Sequence, residues 1–320
     1  MIGDNIEVYN IEKDGLITNK RLIYLIIIRK GSNDNQDSFL KFNETLIKKS
    51  EYSLRNHVII AANNGYQNLI DSDVYNFSHR NRGKAIIVNN RDFENNTGLN
   101  TRTGTDKDAL CIRDSLIHLG FDVSLHHNLS AKNIMHLINL VSQGDFRDDD
   151  CFVFIIMSHG EEGYLWGTDD TFKLEQLTSC FRGDVCKTLA GKPKLFFVQA
   201  CRGTRLDDGV EATDGYDVTD SKVIKKIPVE SDFLIAYSVV PGYFSWRNCS
   251  EGSWFIQSLC KALDKYSHKL DLLRILTRVN RMVGEYTSNT NDPDWHDKMQ
   301  SPSIVSMLTK DLYFHYPSFP

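Results

Sequence analysis

Residues 151–157, Cys-Phe-Val-Phe-Ile-Ile-Met, contain no polar side chain and end abruptly in Ser158-His159-Gly160. A short, wholly apolar run bounded in this way reads as a strand buried on both faces, as in a helix-covered parallel sheet. The flanking pattern agrees. Ala85-Ile86-Ile87-Val88 is a strand ending in Asn89-Asn90, and residues 121–125 form another. Between them, Thr105 and Asp106 are expected to cap a helix that carries Ala109, Ile112, Leu116 and Leu119 at helical spacing. Gly120 is its stop. Ser130 caps a second helix with Ile134, Leu137, Ile138 and Val141 on one face. This β-α-β-α-β alternation predicts an α/β fold, with a parallel sheet covered by helices on both faces.

The second half continues the scheme. Residues 193–198 form an apolar strand that runs into Gln199-Ala200-Cys201-Arg202-Gly203, and residues 233–237 form another. Helices fit 253–266 and 270–286, the latter with Leu272, Ile275, Leu276 and Val279 on one face, and 303–308 reads as a last strand. Residues 204–228 are polar, Gly-punctuated and Asp-rich, the composition of an exposed linker. Residues 1–73 are rich in Asn, Asp and Lys, with apolar bursts at 22–28 and 57–62 that fit no sustained period, and read as an amino-terminal extension.

The 320-residue chain, 41% hydrophobic and 25% charged, has the composition of a soluble globular protein. A net charge of -5 and the lack of a basic stripe argue against a nucleic-acid partner. The apolar stretch 22–28 is far shorter than the roughly 20 residues of a spanning helix. It also lacks a small-residue cleavage site, so neither a membrane anchor nor a signal peptide is expected. Seven cysteines without a C-x-x-C pair suggest free thiols in a reducing, cytoplasmic setting.

Cys201 and His159 each follow a buried strand, at the carboxyl edge where open α/β sheets collect their chemistry. A cysteine in a turn beside Arg202 and Gly203 sits in an electropositive setting that favours its thiolate. A thiol and an imidazole on neighbouring strand ends form a nucleophile and its proton carrier. Zinc needs three or four recognisably spaced ligands, and none accompany this pair, so no metal or cofactor is expected.

From residue 75 to 316 the chain resembles the caspase family, effector branch. The resemblance rests on the 199–203 pentapeptide, Ser158-His159-Gly160-Glu161-Glu162-Gly163 and Arg102-Thr103-Gly104-Thr105-Asp106. It also rests on Ser245-Trp246-Arg247-Asn248, Gly252-Ser253-Trp254-Phe255 and Ile304-Val305-Ser306-Met307-Leu308-Thr309-Lys310. The resemblance implies an open, mostly parallel six-stranded sheet. It divides the chain into a propeptide (1–73), a large subunit (74–214), a linker (215–220) and a small subunit (221–320).

By the same resemblance, Cys201 attacks the scissile carbonyl, His159 protonates the leaving amine, and the N–H groups of Gly160 and Cys201 hold the oxyanion. A backbone carbonyl near Asn100 stands in place of a triad carboxylate. Arg102, Gln199 and Arg247, with Ser245 beside them, form a socket for a substrate aspartate. Phe244, Trp246 and Trp295 match an apolar second pocket, and Asn248 and Trp254 a fourth that takes another Asp. Asn289 and Asn291 stand where effector relatives carry aromatics, so selection further out is expected to be weak.

Asp214, followed by Gly215, suits cleavage by an upstream initiator caspase, and Asp220 and Asp37 suit self-processing. Asp71 and Asp73 are further candidate sites. Inhibitor-of-apoptosis proteins and a homodimer formed through the last strand are implied, with apoptotic cleavage of proteins at exposed Asp as the role. Two other readings are a non-catalytic homologue acting as scaffold or decoy, and a relative cleaving after Arg or Lys. The first wants a lost nucleophile or lost pocket arginines, and the second an acidic pocket; neither is found in these residues.

Overall fold

Six strands make one sheet in a computed structural model that describes residues 73–207 and 230–315. In chain order they are β1 (Lys84–Asn89), β2 (Asp122–His127), β3 (Phe152–Met157), β7 (Lys194–Gln199), β8 (Phe233–Tyr237) and β11 (Ser303–Ser306). The spatial order is β11-β8-β7-β3-β1-β2, every pairing parallel except that of β11 with β8. The mostly parallel six-stranded sheet is therefore as expected. The proposed linker and most of the extension lie outside the described residues, as do the candidate cleavage positions Asp37, Asp71, Asp214 and Asp220. Asp73 is described; it is exposed, and its carbonyl accepts from Asp311 N–H at 2.7 Å.

Among the described residues, five α-helices flank the sheet: α1 (Thr105–His118), α2 (Ala131–Ser142), α3 (Leu174–Ser179), α4 (Trp254–Tyr266) and α5 (Leu272–Gly284). Side chains alternate faces along a strand, so β3 divides its apolar run between two cores. Val153, Ile155 and Met157 meet α1, α4 and α5, whereas Phe152, Phe154 and Ile156 meet α2 and α3. This division is why the run needs no polar position: all six residues of β3 are buried.

Ser130 caps α2 as expected, its hydroxyl accepting from Asn133 N–H at 3.2 Å, and Ser253 and Asp271 cap α4 and α5 in the same way. The expected cap of α1 is corrected. Gly104 holds the N-cap position at φ 86° with no side-chain bond, and Thr105 is inside the helix. The Thr105 hydroxyl instead donates to Asn89 Oδ1 at 2.7 Å, tying the helix start to the end of β1. The sequence reading also passed over a small antiparallel sheet, β4 (Gly160–Glu161), β5 (Tyr164–Trp166) and β6 (Thr171–Lys173), and a short pair, β9 (Arg247–Asn248) with β10 (Gly252–Ser253). Strands of two and three residues are too short to leave a period in the sequence.

Candidate active site

Neighbouring parallel strands place the thiol beside the imidazole. Met157 of β3 is paired with Gln199 of β7, and Ser158 N–H donates to Gln199 O at 3.1 Å. His159 and Cys201 each stand two residues beyond that pairing, at the carboxyl edge. Gly160 lets the two strand ends touch. A Cβ there would lie 2.9 Å from Ala200 Cβ and 3.0 Å from the carbonyl oxygens of both Cys201 and Tyr164. On the other side, His159 O accepts from Trp166 N–H at 3.0 Å, and Ser158 Oγ donates to Trp166 O at 2.7 Å.

The imidazole has the neighbour the resemblance implied. His159 Nε2 lies 2.9 Å from Asn100 O. A carbonyl only accepts, so Nε2 carries the proton and Nδ1 keeps the lone pair in the neutral ring. The Phe93 ring packs on the imidazole at 4.8 Å between centroids, a contact the motifs did not reveal. Burial lowers the His159 pKa, against the pull of the Asn100 carbonyl, and the charges of Arg102 and Arg247 lower it further. Burial raises the Cys201 pKa, while Ser245 N–H, 3.5 Å from Sγ, and the same two arginines favour the thiolate. Burial thus favours the neutral form of both groups.

The electropositive setting does not come from the residue beside the nucleophile. The Arg202 guanidinium turns away, donating to Glu162 Oε1 at 2.7 Å and Ser303 Oγ at 3.3 Å, and lies 4.0 Å from the Tyr237 ring centre. The charges acting on the thiol belong to Arg102 and Arg247, a hundred positions upstream and some forty downstream.

Those two arginines act on each other as well as on the thiol. Arg102 is 1% exposed and donates through Nη1 to Asn90 O and Thr105 Oγ1, both at 3.0 Å. Arg247, half-buried, donates through Nε to Thr103 O at 2.8 Å. Burial and the neighbouring Arg247 charge lower the Arg102 pKa; Asp108 partly offsets both. Gly104 brings the two loops together: a Cβ at this residue would fall 2.5 Å from Asn248 O and 2.7 Å from Cys249 O. Gln199 is buried, with Nε2 donating to Ser245 Oγ at 2.9 Å and Oε1 without a partner. Ser245 Oγ in turn donates to Ser238 Oγ at 2.9 Å, which receives Ala200 N–H at 3.3 Å. The amide, the loop and the nucleophile's own turn therefore share one hydrogen-bond chain.

The expected apolar residues form one aromatic cluster. Phe244 lies edge-on to Trp246 at 5.5 Å and to Trp295 at 5.2 Å, and Trp246 stacks on Trp254 at 5.6 Å. Tyr286, missed in the sequence, stacks on Trp254 at 5.4 Å. Trp295 remains 37% exposed. Asn248 is turned into its own loop, Oδ1 accepting from Ser250 N–H and Glu251 N–H at 2.8 and 3.0 Å. Asn289 and Asn291 are both exposed.

The loop bearing Trp246 and Arg247 is also held by a residue no motif contains. Gln300 is 1% exposed; its Oε1 accepts from Trp246 N–H at 2.6 Å and its Nε2 donates to Ser238 O at 2.6 Å. Asn90, which accepts from Arg102, had a visible signal as the second of two asparagines closing an apolar strand.

The caspase domain pattern matches residues 82–313. Over 256 residues the chain is 48% identical to caspase-7 of Gallus gallus, covering 78% of this chain and 83% of that protein. It is 49% identical over 241 residues to caspase-3 of Bos taurus, covering 75% and 87%. The crystal structure of caspase-1 from Spodoptera frugiperda is similar with a TM-score of 0.71 at 42% identity, over 77% of this chain and 96% of that one. With a thiol and an imidazole on paired strand ends and this likeness over most of its length, the chain belongs to the caspase family of cysteine endopeptidases, effector type.

Proposed function

We propose that this caspase hydrolyses peptide bonds after aspartate, with Asp-x-x-Asp preferred, and that it is a zymogen activated by cuts at Asp214 and Asp220. One observation carries the specificity. The hydrogen bonds of the two guanidiniums go to neutral oxygens, and neither makes an ion pair among the described residues. A buried and a half-buried cation that no carboxylate contacts directly, with Asp108 acting on both only from a distance, suit a substrate carboxylate, which guanidinium binds through two parallel N–H donors. A neutral Asn or Ala leaves those charges unmatched, and discrimination of roughly 10⁴-fold is expected.

In this reading Cys201 Sγ, its proton passed to His159 Nδ1, attacks the carbonyl carbon next to the aspartate. The carbonyl oxygen takes the negative charge and is met by the N–H groups of Gly160 and Cys201. The imidazolium returns its proton to the leaving amine as the C–N bond breaks. Water, deprotonated by the same imidazole, then releases the acyl group from sulfur. Phe244, Trp246 and Trp295 receive an apolar side chain two positions before the cut, and Asn248 and Trp254 frame the outer Asp.

The reading extends to a cytosolic role in apoptosis, with initiator caspases upstream and inhibitor-of-apoptosis proteins as regulators. It includes a homodimer built on β11, the last strand of the sheet, where Val305 is 45% exposed. A positional peptide library with the activated enzyme is expected to accept only Asp before the cut, with all turnover lost in Cys201→Ala. Equal turnover after Asn or Arg refutes the specificity. Terminal mass spectrometry showing active enzyme intact through 205–228 refutes the zymogen claim.

A further inference from the structure

Outside the active site, two cysteines face each other across a pair of helices. Helices α1 and α4 run parallel and in register. Gln257 Nε2 donates to Asp108 Oδ1 at 2.8 Å, and Ser115 Oγ donates to Asp264 Oδ1 at 2.9 Å. Both pairs are separated by 149 positions. Cys111 and Cys260 are the same 149 positions apart and fall between those two bonds on both helices. Residues three and four apart share one helix face, so a bond on either side forces the two thiols together.

Cys260 is 1% exposed and belongs to the core between these helices and the sheet, with Cys111, half-buried, packed against it. The two thiols act on each other, Cys260 lowering the Cys111 pKa and Cys111 raising that of Cys260. Desolvation and the carboxylates of Asp264, Asp108 and Asp114 work in the opposite direction on Cys111. The half-buried Cys111 is thus the sulfur an oxidant can reach and the buried Cys260 lies beside it, the arrangement of an attacking and a resolving thiol.

We propose that Cys111 and Cys260 are an oxidation-responsive dithiol, converted by a small peroxide into a disulfide that staples α1 to α4. Cys111 sulfur attacks one peroxide oxygen; the O–O bond breaks, an S–O bond forms, and water leaves. Cys260 sulfur then attacks the sulfenic sulfur; the S–S bond forms, the S–O bond breaks, and its oxygen leaves as a second water with the thiol proton. Two thiols are oxidised and one peroxide is reduced. The chemistry does not depend on the proposed substrate or on any cut. If residues 208–229 are cut as proposed above, the bridge keeps the two fragments covalently joined.

The test is a thiol map of the full chain. Protein is treated with graded hydrogen peroxide, the peroxide is removed, free thiols are alkylated with iodoacetamide in denaturant, and tryptic peptides are sequenced by tandem mass spectrometry. The expected product links Cys111 to Cys260 with loss of two hydrogens and is reversed by dithiothreitol. In Cys111→Ser, Cys260 is expected to stay fully alkylatable, with peptidase activity under reducing conditions unchanged. The wild-type map decides the matter even if that variant folds poorly. Alkylation of both cysteines at a dose that oxidises exposed Cys249 overturns the proposal. So does Cys111 ending as an unpaired sulfinic acid, or joined to any other cysteine.

Discussion

Replacing Gln300 with methionine removes two hydrogen bonds while keeping the length and volume of the side chain. The native amide joins Trp246 N–H to Ser238 O through two contacts of 2.6 Å, at a site 1% exposed. Methionine leaves a donor and an acceptor buried without partners, at about 1–3 kcal/mol each. The loop can relieve part of this by swinging outward, so a net loss of about 2–4 kcal/mol is expected. Expressed as transition-state binding, that is a fall in kcat/KM of roughly 30- to 900-fold. The loop bears Trp246 and Arg247, whereas Cys201 and His159 stand just beyond the ends of β7 and β3, so KM should carry more of the change than kcat. Steady-state kinetics on a fluorogenic Asp-x-x-Asp peptide measures both.

Gln300→Glu provides the second reading. One carboxylate oxygen still accepts from Trp246 N–H, but the other faces Ser238 O and repels it until protonated. Activity relative to the parent should therefore rise as pH falls toward the carboxyl range. The reasoning fails if Gln300→Met stays within threefold of the parent, or if Gln300→Glu follows the parent's pH profile throughout.

Two further outcomes follow from the site. Gly104→Ala drives a methyl into Asn248 O and Cys249 O at a residue with φ 86°, pushing the Arg102 loop off the Arg247 loop. A rise in KM for Asp substrates with the Cys201 turn unchanged is expected, and an unaltered KM contradicts it. In Cys201→Ala, burial and the arginine charges disfavour the imidazolium, so His159 should titrate below the ordinary value of about 6.5 in an NMR experiment. The neutral ring is the form the fold prefers. Its contribution to stability is therefore complete above pH ~6.5 and lost as pH falls through the lower folded value. A midpoint at or above 6.5 refutes this.

The sheet was readable because parallel strands buried on both faces leave continuous apolar runs, and those runs end where the chemistry begins. Cys201 and His159 could be placed together for that reason alone. Arg102, Gln199 and Arg247 came from motif resemblance, since nothing in their spacing announces a pocket. Gln300 and Phe93 were not readable: their roles arise from contacts between segments dozens of positions apart. Arg202 was misjudged because adjacency in the chain says nothing about where a long side chain goes. Glu162, Ser303 and Tyr237 draw its charge to the far side of the turn. The cap of α1 was misjudged because Thr105 found a buried partner in Asn89, leaving the cap position to a glycine needed for close packing.

The pairing of Met157 with Gln199 gives catalysis and recognition different mechanical foundations. The thiol and imidazole are rooted in two central strands whose displacement would open both cores, so their spacing is as stiff as the domain itself. Trp246 and the neighbouring Arg247 stand on a loop held by side-chain contacts, among them the amide of Gln300 and the hydroxyl of Ser245. Drift in that loop can retune what is cut without disturbing how it is cut.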